Sequence, residues 1–174
     1  MTPTPLSAYA VSKFAGEHYM KVFSEVYGIQ TLCLRYFNVF EPRQDPKSEY
    51  AAVILKFITR IFSHELPVIY GGGGQTRDFT FVKDVVQANI KTMESDAQGV
   101  FNVAYGQRID LNTLAASIME ITGVSVPLVY EPSRVGDVRD SLADIRRAEE
   151  AFGYKPEYTV KTGLEETIRW YQNQ

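Results

Sequence analysis

Tyr9 and Lys13 lie four residues apart in Tyr-Ala-Val-Ser-Lys. On a helix that spacing sets a phenol and an ammonium on one face. A tyrosine with the ordinary pKa of about 10 is a poor base at neutral pH. A neighbouring cation favours the phenolate, so the pair can draw a proton from an alcohol. The same spacing also fits a packed tyrosine beside a solvated lysine, and the flanking sequence has to decide. Tyr36 and Asn38 close an apolar stretch. In α/β folds the end of such a strand is where ligands bind, although strand-end packing and turn formation also suit these residue types. His18 and His64 have no second ligand at metal spacing. They read as ordinary helix residues, and no metal site is expected. Cys33, the single cysteine, reads as a small buried hydrophobe and allows no intrachain disulfide.

These groups need elements to hold them. Pro3 and Pro5 keep the start extended, and Ser7 predicts the N-cap of a helix that runs to Tyr27 and ends at Gly28. A strand is expected over 29–37, a polar loop over 38–49 and a helix over 50–64. A short strand follows at 68–70, then a flexible glycine loop at 71–74 and an extended segment at 78–81. Residues 82–95 read as a helix with Val85, Val86, Ala88, Asn89 and Ile90 turned inward. Further strands are expected at 100–104 and 126–131, and helices at 111–122, 144–152 and 160–172. The alternation predicts α/β architecture, with one good parallel-type strand beside the Tyr-Lys helix.

Composition narrows the classes. The chain has 174 residues, 45% of them hydrophobic and 22% charged, as expected of one globular domain with a sizeable core. A formal charge of −3 gives no electrostatic reason to expect nucleic acid as a partner. The longest apolar run ends at Lys56, far too short for a bilayer span, and no membrane is expected as a partner. The first residues lack the pattern of a signal peptide, and cysteine usage suits a reducing cytoplasm.

Several motifs in order then point to a family. They are Ser7-Ala-Tyr-Ala-Val-Ser-Lys13, Leu34-Arg-Tyr-Phe-Asn-Val-Phe40 with Pro42-Arg-Gln-Asp-Pro46, and Gln75-Thr-Arg-Asp-Phe79 with Val82-Lys-Asp-Val85. Arg134-Val-Gly-Asp-Val-Arg139 and Ala143-Asp-Ile145 continue the series. Together they resemble the extended short-chain dehydrogenase/reductase family, within it the nucleotide-sugar 4-epimerases of the UDP-glucose and UDP-N-acetylglucosamine type. Nearly the whole chain is covered. The Gly-x-x-Gly-x-x-Gly fingerprint of a dinucleotide site is missing, and so is the segment that would carry the family's catalytic Ser or Thr. Glu41 stands where such enzymes usually have glycine, and Ala8 where they usually have proline.

The resemblance therefore implies the C-terminal part of a Rossmann-type enzyme, its N-terminal dinucleotide-binding half absent. Residues 1–47 would be the remnant of the Rossmann domain, carrying the Tyr-x-x-x-Lys helix and the last sheet strands. Residues 48–174 would be mainly a small α/β substrate-binding lobe, with some segments returning to the sheet. It also implies roles. Tyr9 would take the proton from the sugar 4-hydroxyl while hydride passes from C4 to NAD, and the 4-keto intermediate would receive it back on its other face. Lys13 would bond the nicotinamide ribose, and Tyr36 would lie near the nicotinamide. Asn38, Arg77 and Arg134 would hold the diphosphate of a UDP-sugar. Asp137 would contact the ribose or orient an arginine, and Val53 and Tyr70 would line the uracil pocket. A homodimer is implied for the longer enzyme and no turnover for this chain alone. A dehydratase or decarboxylase of the same family is the nearest alternative, and a non-catalytic UDP-sugar-binding lobe is the alternative from another class.

Overall fold

The computed structural model describes residues 3–45, 53–133 and 138–173. Helix α1, Ala8–Tyr27, begins where Ser7 Oγ accepts the Ala10 N–H at 3.1 Å. It stops at Gly28, whose φ of +65° supplies the left-handed cap. Strand β1, Leu32–Tyr36, follows, then β2, Val39–Phe40. Next come α2 (Val53–Phe62), β3 (Val68–Tyr70), β4 (Thr76–Arg77), β5 (Thr80–Phe81) and α3 (Val82–Met93). The chain closes with β6 (Gly99–Val103), β7 (Ile109–Asp110), α4 (Leu111–Thr122), β8 (Val129–Glu131), α5 (Arg146–Phe152) and α6 (Val160–Gln172).

The strands pair in twos. β1 lies parallel to β6, with Leu32 opposite Gly99 and Tyr36 opposite Val103. β2 is parallel to β5 and β3 to β8, while β4 runs antiparallel to β7. The α/β class expected from the sequence is observed.

Two hydrophobic clusters hold the described residues together. In one, the α2 stripe Ile54, Leu55, Phe57, Ile58 and Ile61 is buried, the single-faced pattern of an amphipathic helix. Most of that stripe packs with Phe40, Phe81, Leu114, Ile118, Leu164 and Ile168 from β2, β5, α4 and α6. The other joins Val85 and Ala88 of α3 to Phe101 and Val103 of β6 and to Ala148 and Tyr154. Leu32 and Leu34 of β1 pack against it.

Several local expectations change. β1 starts only at Leu32, and buried Thr31 just before it donates its hydroxyl to Met20 O of α1 at 3.0 Å. The segment expected as a polar loop contains β2, since buried Phe40 finds a strand partner in Phe81. Residues 46–52 of that loop and of the following helix lie outside the described residues. In α3 only Val85 and Ala88 of the expected inner set are buried, together with Asp84, whereas Val86 and Ile90 stand 52% and 51% exposed. His64 leaves the helix, with a φ of +56° beyond the end of α2. Cys33 is half-buried rather than buried, and burial pushes its thiol pKa up, away from the reactive thiolate. At Glu41 the backbone does not need glycine, because the positive φ values of this turn fall on Asn38 and Arg43.

Candidate functional site

α1 runs antiparallel to β1, and side chains fix the register. Thr31 bonds Met20, and Arg35 donates from Nε and Nη2 to the two carboxylate oxygens of Glu17, each at 2.6 Å. Such a bidentate pair gives direction as well as attraction. The hydrogen bond to the Glu17 carboxylate raises the Arg35 pKa, and a guanidinium stays charged at any working pH. From Glu17 back to Lys13 is about 6 Å along the helix, and from Arg35 on to Phe37 is about 6.6 Å along the strand. Lys13 and then Tyr9 therefore reach the carboxyl end of β1. Tyr9 is 64% exposed there, and Lys13 Nζ lies 5.3 Å from the centre of its ring. The phenol ring and the ammonium share one face, as their spacing predicts.

The same strand end presents Tyr36 and Asn38. Tyr36 is 48% exposed, and its hydroxyl donates to Asn89 Oδ1 at 3.0 Å. A shallow cleft of about 280 Å³ runs from Tyr36 along Leu32, Leu34 and Met93. Asn38 adopts a φ of +37°, which asparagine tolerates better than most residues. Its Nδ2 donates to Asp78 O at 3.0 Å, and this bond brings the segment carrying Arg77 to the end of β1.

Arg77 is half-buried in β4, where it pairs with Ile109 of β7. Its Nη1 donates to Thr76 O at 2.8 Å and to Arg139 O at 3.2 Å. Among the described residues no carboxylate forms an ion pair with it. The guanidinium is thus aimed by carbonyl groups and retains further N–H donors for an anion. Tyr70, half-buried, ends β3 opposite Glu131. Val53, half-buried at the start of α2, packs against the larger hydrophobic cluster. Arg134 and Asp137 lie outside the described residues.

Sequence reasoning missed the groups that hold these in place. Asp78 is fully buried, and its carboxylate accepts from the backbone N–H groups of Tyr105, Gly106 and Ala143 at 3.1 to 3.2 Å. Burial nevertheless pushes its pKa up, and the three N–H donors oppose that shift. Asp84 does similar work, accepting from Glu157 N and Tyr158 N. The loop expected to be flexible is also pinned. Gly71 N donates to Glu131 O, and Gly73 O accepts from Leu111 N and Asn112 N. A carboxylate between Arg and Phe in the motif was the only signal for Asp78. Among the described residues no group of His, Cys, Asp and Glu could hold a metal ion.

Comparisons with known proteins agree in direction. The family profile described as GDP-mannose 4,6 dehydratase matches residues 2–167. A putative UDP-glucose 4-epimerase of Methanocaldococcus jannaschii is 38% identical over 97% of this chain and 54% of its own length. The solved UDP-N-acetylglucosamine 4-epimerase of Methanobrevibacter ruminantium, in complex with UDP-N-acetylmuramic acid, superposes with a TM-score of 0.94 at 45% identity. That match covers 98% of this chain and 55% of the solved one. The Thermus thermophilus UDP-glucose 4-epimerase, solved with NAD, matches at a TM-score of 0.89 and 31% identity over 98% of this chain and 55% of its own. The chain spans about half the length of the relatives it matches.

Proposed function

The chain belongs to the NAD-dependent epimerase/dehydratase family, and from that premise we propose that it is the C-terminal part of a nucleotide-sugar 4-epimerase. The substrates would be UDP-glucose and UDP-galactose or their N-acetyl forms. One observation carries the proposal. The Tyr9–Lys13 pair, its ammonium over the phenol ring, lies toward the carboxyl end of β1, where Asn38 also tethers the segment of Arg77. This arrangement supports reading Tyr9 as the proton acceptor and Arg77 as an anion-binding group of one site.

Tyr9 takes the proton from the sugar 4-hydroxyl and returns it, with the Lys13 charge beside its ring. Asn38 and Arg77 hold the diphosphate, with Arg134 as a second guanidinium and Asp137 at the ribose or an arginine. Tyr70 and Val53 line the uracil site. NAD, when bound, would supply the hydride acceptor and donor for C4. The residues present fit one end of that cofactor: the exposed Lys13 ammonium and Tyr9 phenol suit the nicotinamide ribose, and Tyr36 the nicotinamide side. Residues 1–47 would belong to the dinucleotide domain and 48–174 mainly to the substrate lobe, with β6 returning to pair with β1.

The 174 residues by themselves would not turn over, because the longer relatives share only about half their length with them. The longer enzyme would work as a cytoplasmic homodimer. Exposed apolar side chains on α1 support association, and no helix among the described residues is long and apolar enough to cross a membrane. A dehydratase is the second reading, favoured by the description of the matching profile. The test joins this chain to the N-terminal half of the M. ruminantium relative and supplies NAD and UDP-N-acetylglucosamine. The C4 epimer is the expected product, and a 4-keto-6-deoxy product would select the dehydratase.

A further inference from the structure

Tyr70 and Arg77 flank one loop that contains four consecutive glycines. Its two ends are already in register, Tyr70 with Glu131 and Arg77 with Ile109. Its middle is held by Asn112 at the start of α4. Asn112 Nδ2 donates to Gly72 O at 3.2 Å, and Asn112 N donates to Gly73 O at 3.2 Å. The Asn112 Oδ1 accepts the Tyr130 hydroxyl at 3.0 Å, which ties the amide to β8. Gly73 is buried at a φ of +77°, and a Cβ there would fall 2.1 Å from Asn112 Oδ1. The amide thus fills the space that the missing side chain leaves.

We infer that Asn112 is a positioning residue that sets the span between the nucleobase contact at Tyr70 and the diphosphate contact at Arg77. The inference rests on the nucleotide-sugar reading of those two residues. Glycines at positive φ are free to take many other conformations once their restraints go. With Asn112 in place, the loop has one length, and a ligand carrying both a base and a diphosphate meets two contacts already spaced for it. Preorganisation of this kind raises the affinity of the linked ligand and leaves a ligand with only one of the two groups nearly unaffected.

The experiment is an NMR titration of the chain with UDP and, separately, with uridine, giving the ratio of the uridine Kd to the UDP Kd. Charge-assisted bonds to the diphosphate should make that ratio about 100 or more in the wild-type chain. Asn112→Ala and Gly73→Ala attack the same contact from its two sides, and each should lower the ratio about tenfold. Simple loss of folded protein weakens both ligands alike and leaves the ratio unchanged. A ratio that stays at the wild-type value in both folded variants overturns the inference and leaves the UDP reading standing. If neither variant folds, Tyr130→Phe decides, since it removes one hydrogen bond to Asn112: a reduced ratio supports the inference and an unchanged one overturns it. A wild-type ratio near 1, or no binding of UDP, overturns the reading of Tyr70 and Arg77 and this inference with it.

Discussion

The Asp78 carboxylate joins its own segment to two distant stretches of chain, and its replacement tests how the site is held. Its partners lie 27, 28 and 65 residues away. Asp78→Ala would strand the N–H groups of Tyr105, Gly106 and Ala143, at about 1–3 kcal/mol for each one left buried without a partner. We expect a loss of several kcal/mol in urea unfolding, in contrast to a small effect from the exposed Tyr9→Phe. Tyr154 gives a pH signature. It is fully buried, its hydroxyl donates to Ala104 O at 2.9 Å, and burial first, then the charges of Asp84 and Asp78, pushes its pKa well above the usual phenol value. Above about pH 10 the unfolded chain releases this proton while the folded chain keeps it, so stability falls as pH rises. Tyr154→Phe should flatten that alkaline decline in unfolding curves taken between about pH 9 and 11. The Tyr9–Lys13 pair was legible because helix spacing alone fixes it. Asp78 and the Arg35–Glu17 clamp were not, because their partners are set by packing between segments remote in sequence.

Glycines in two helices should respond oppositely to alanine. Gly16 in α1 has a negative φ and no atom within 4 Å of an added Cβ. Gly16→Ala should stabilise the chain by about 0.5–1 kcal/mol through helix propensity. Gly163 in α6 would place its Cβ 2.7 Å from Phe40 Cζ and 2.9 Å from Phe81 Cδ2. The propensity gain is the same, but overpacking against rings in a filled cluster costs about 1–3 kcal/mol, so packing wins and Gly163→Ala destabilises. Thermal unfolding of both variants checks the signs. The first helix was readable from local signals, Ser7 and Gly28 bounding α1, and the structure places Asp110 and Gly123 at the ends of α4 and Thr159 at the start of α6. Short strands such as β2, two residues in a segment expected as loop, exist because a distant partner, here β5, supplies their hydrogen bonds. Local pattern cannot specify those.

The whole molecule leaves one element without a full set of neighbours. No residue of α1 is buried, and Tyr19, Val22, Phe23 and Val26 are all exposed. Among the described residues β1 pairs on one edge only, with β6. An apolar helix surface of this kind favours association. Sedimentation should show concentration-dependent self-association of the chain, and Phe23→Glu should weaken it without lowering the unfolding temperature. A chain that sediments as a monomer at all concentrations would contradict that expectation. The family resemblance was legible at this scale because its motifs recur in order along nearly the full sequence. The arrangement around Arg77 was not, because it depends on β4 meeting β7 and on the bond from Asn38 to Asp78.

The most direct measurement follows the C4 configuration of UDP-N-acetylglucosamine in the chimeric enzyme, wild type and Tyr9→Phe, with NAD and substrate binding confirmed in both. The wild type should form the C4 epimer, and the variant should be slower by about 10²- to 10⁴-fold, the usual contribution of a positioned acid–base group. A folded enzyme that binds both molecules and makes no C4 epimer, or a Tyr9→Phe variant as fast as the wild type, would contradict the account.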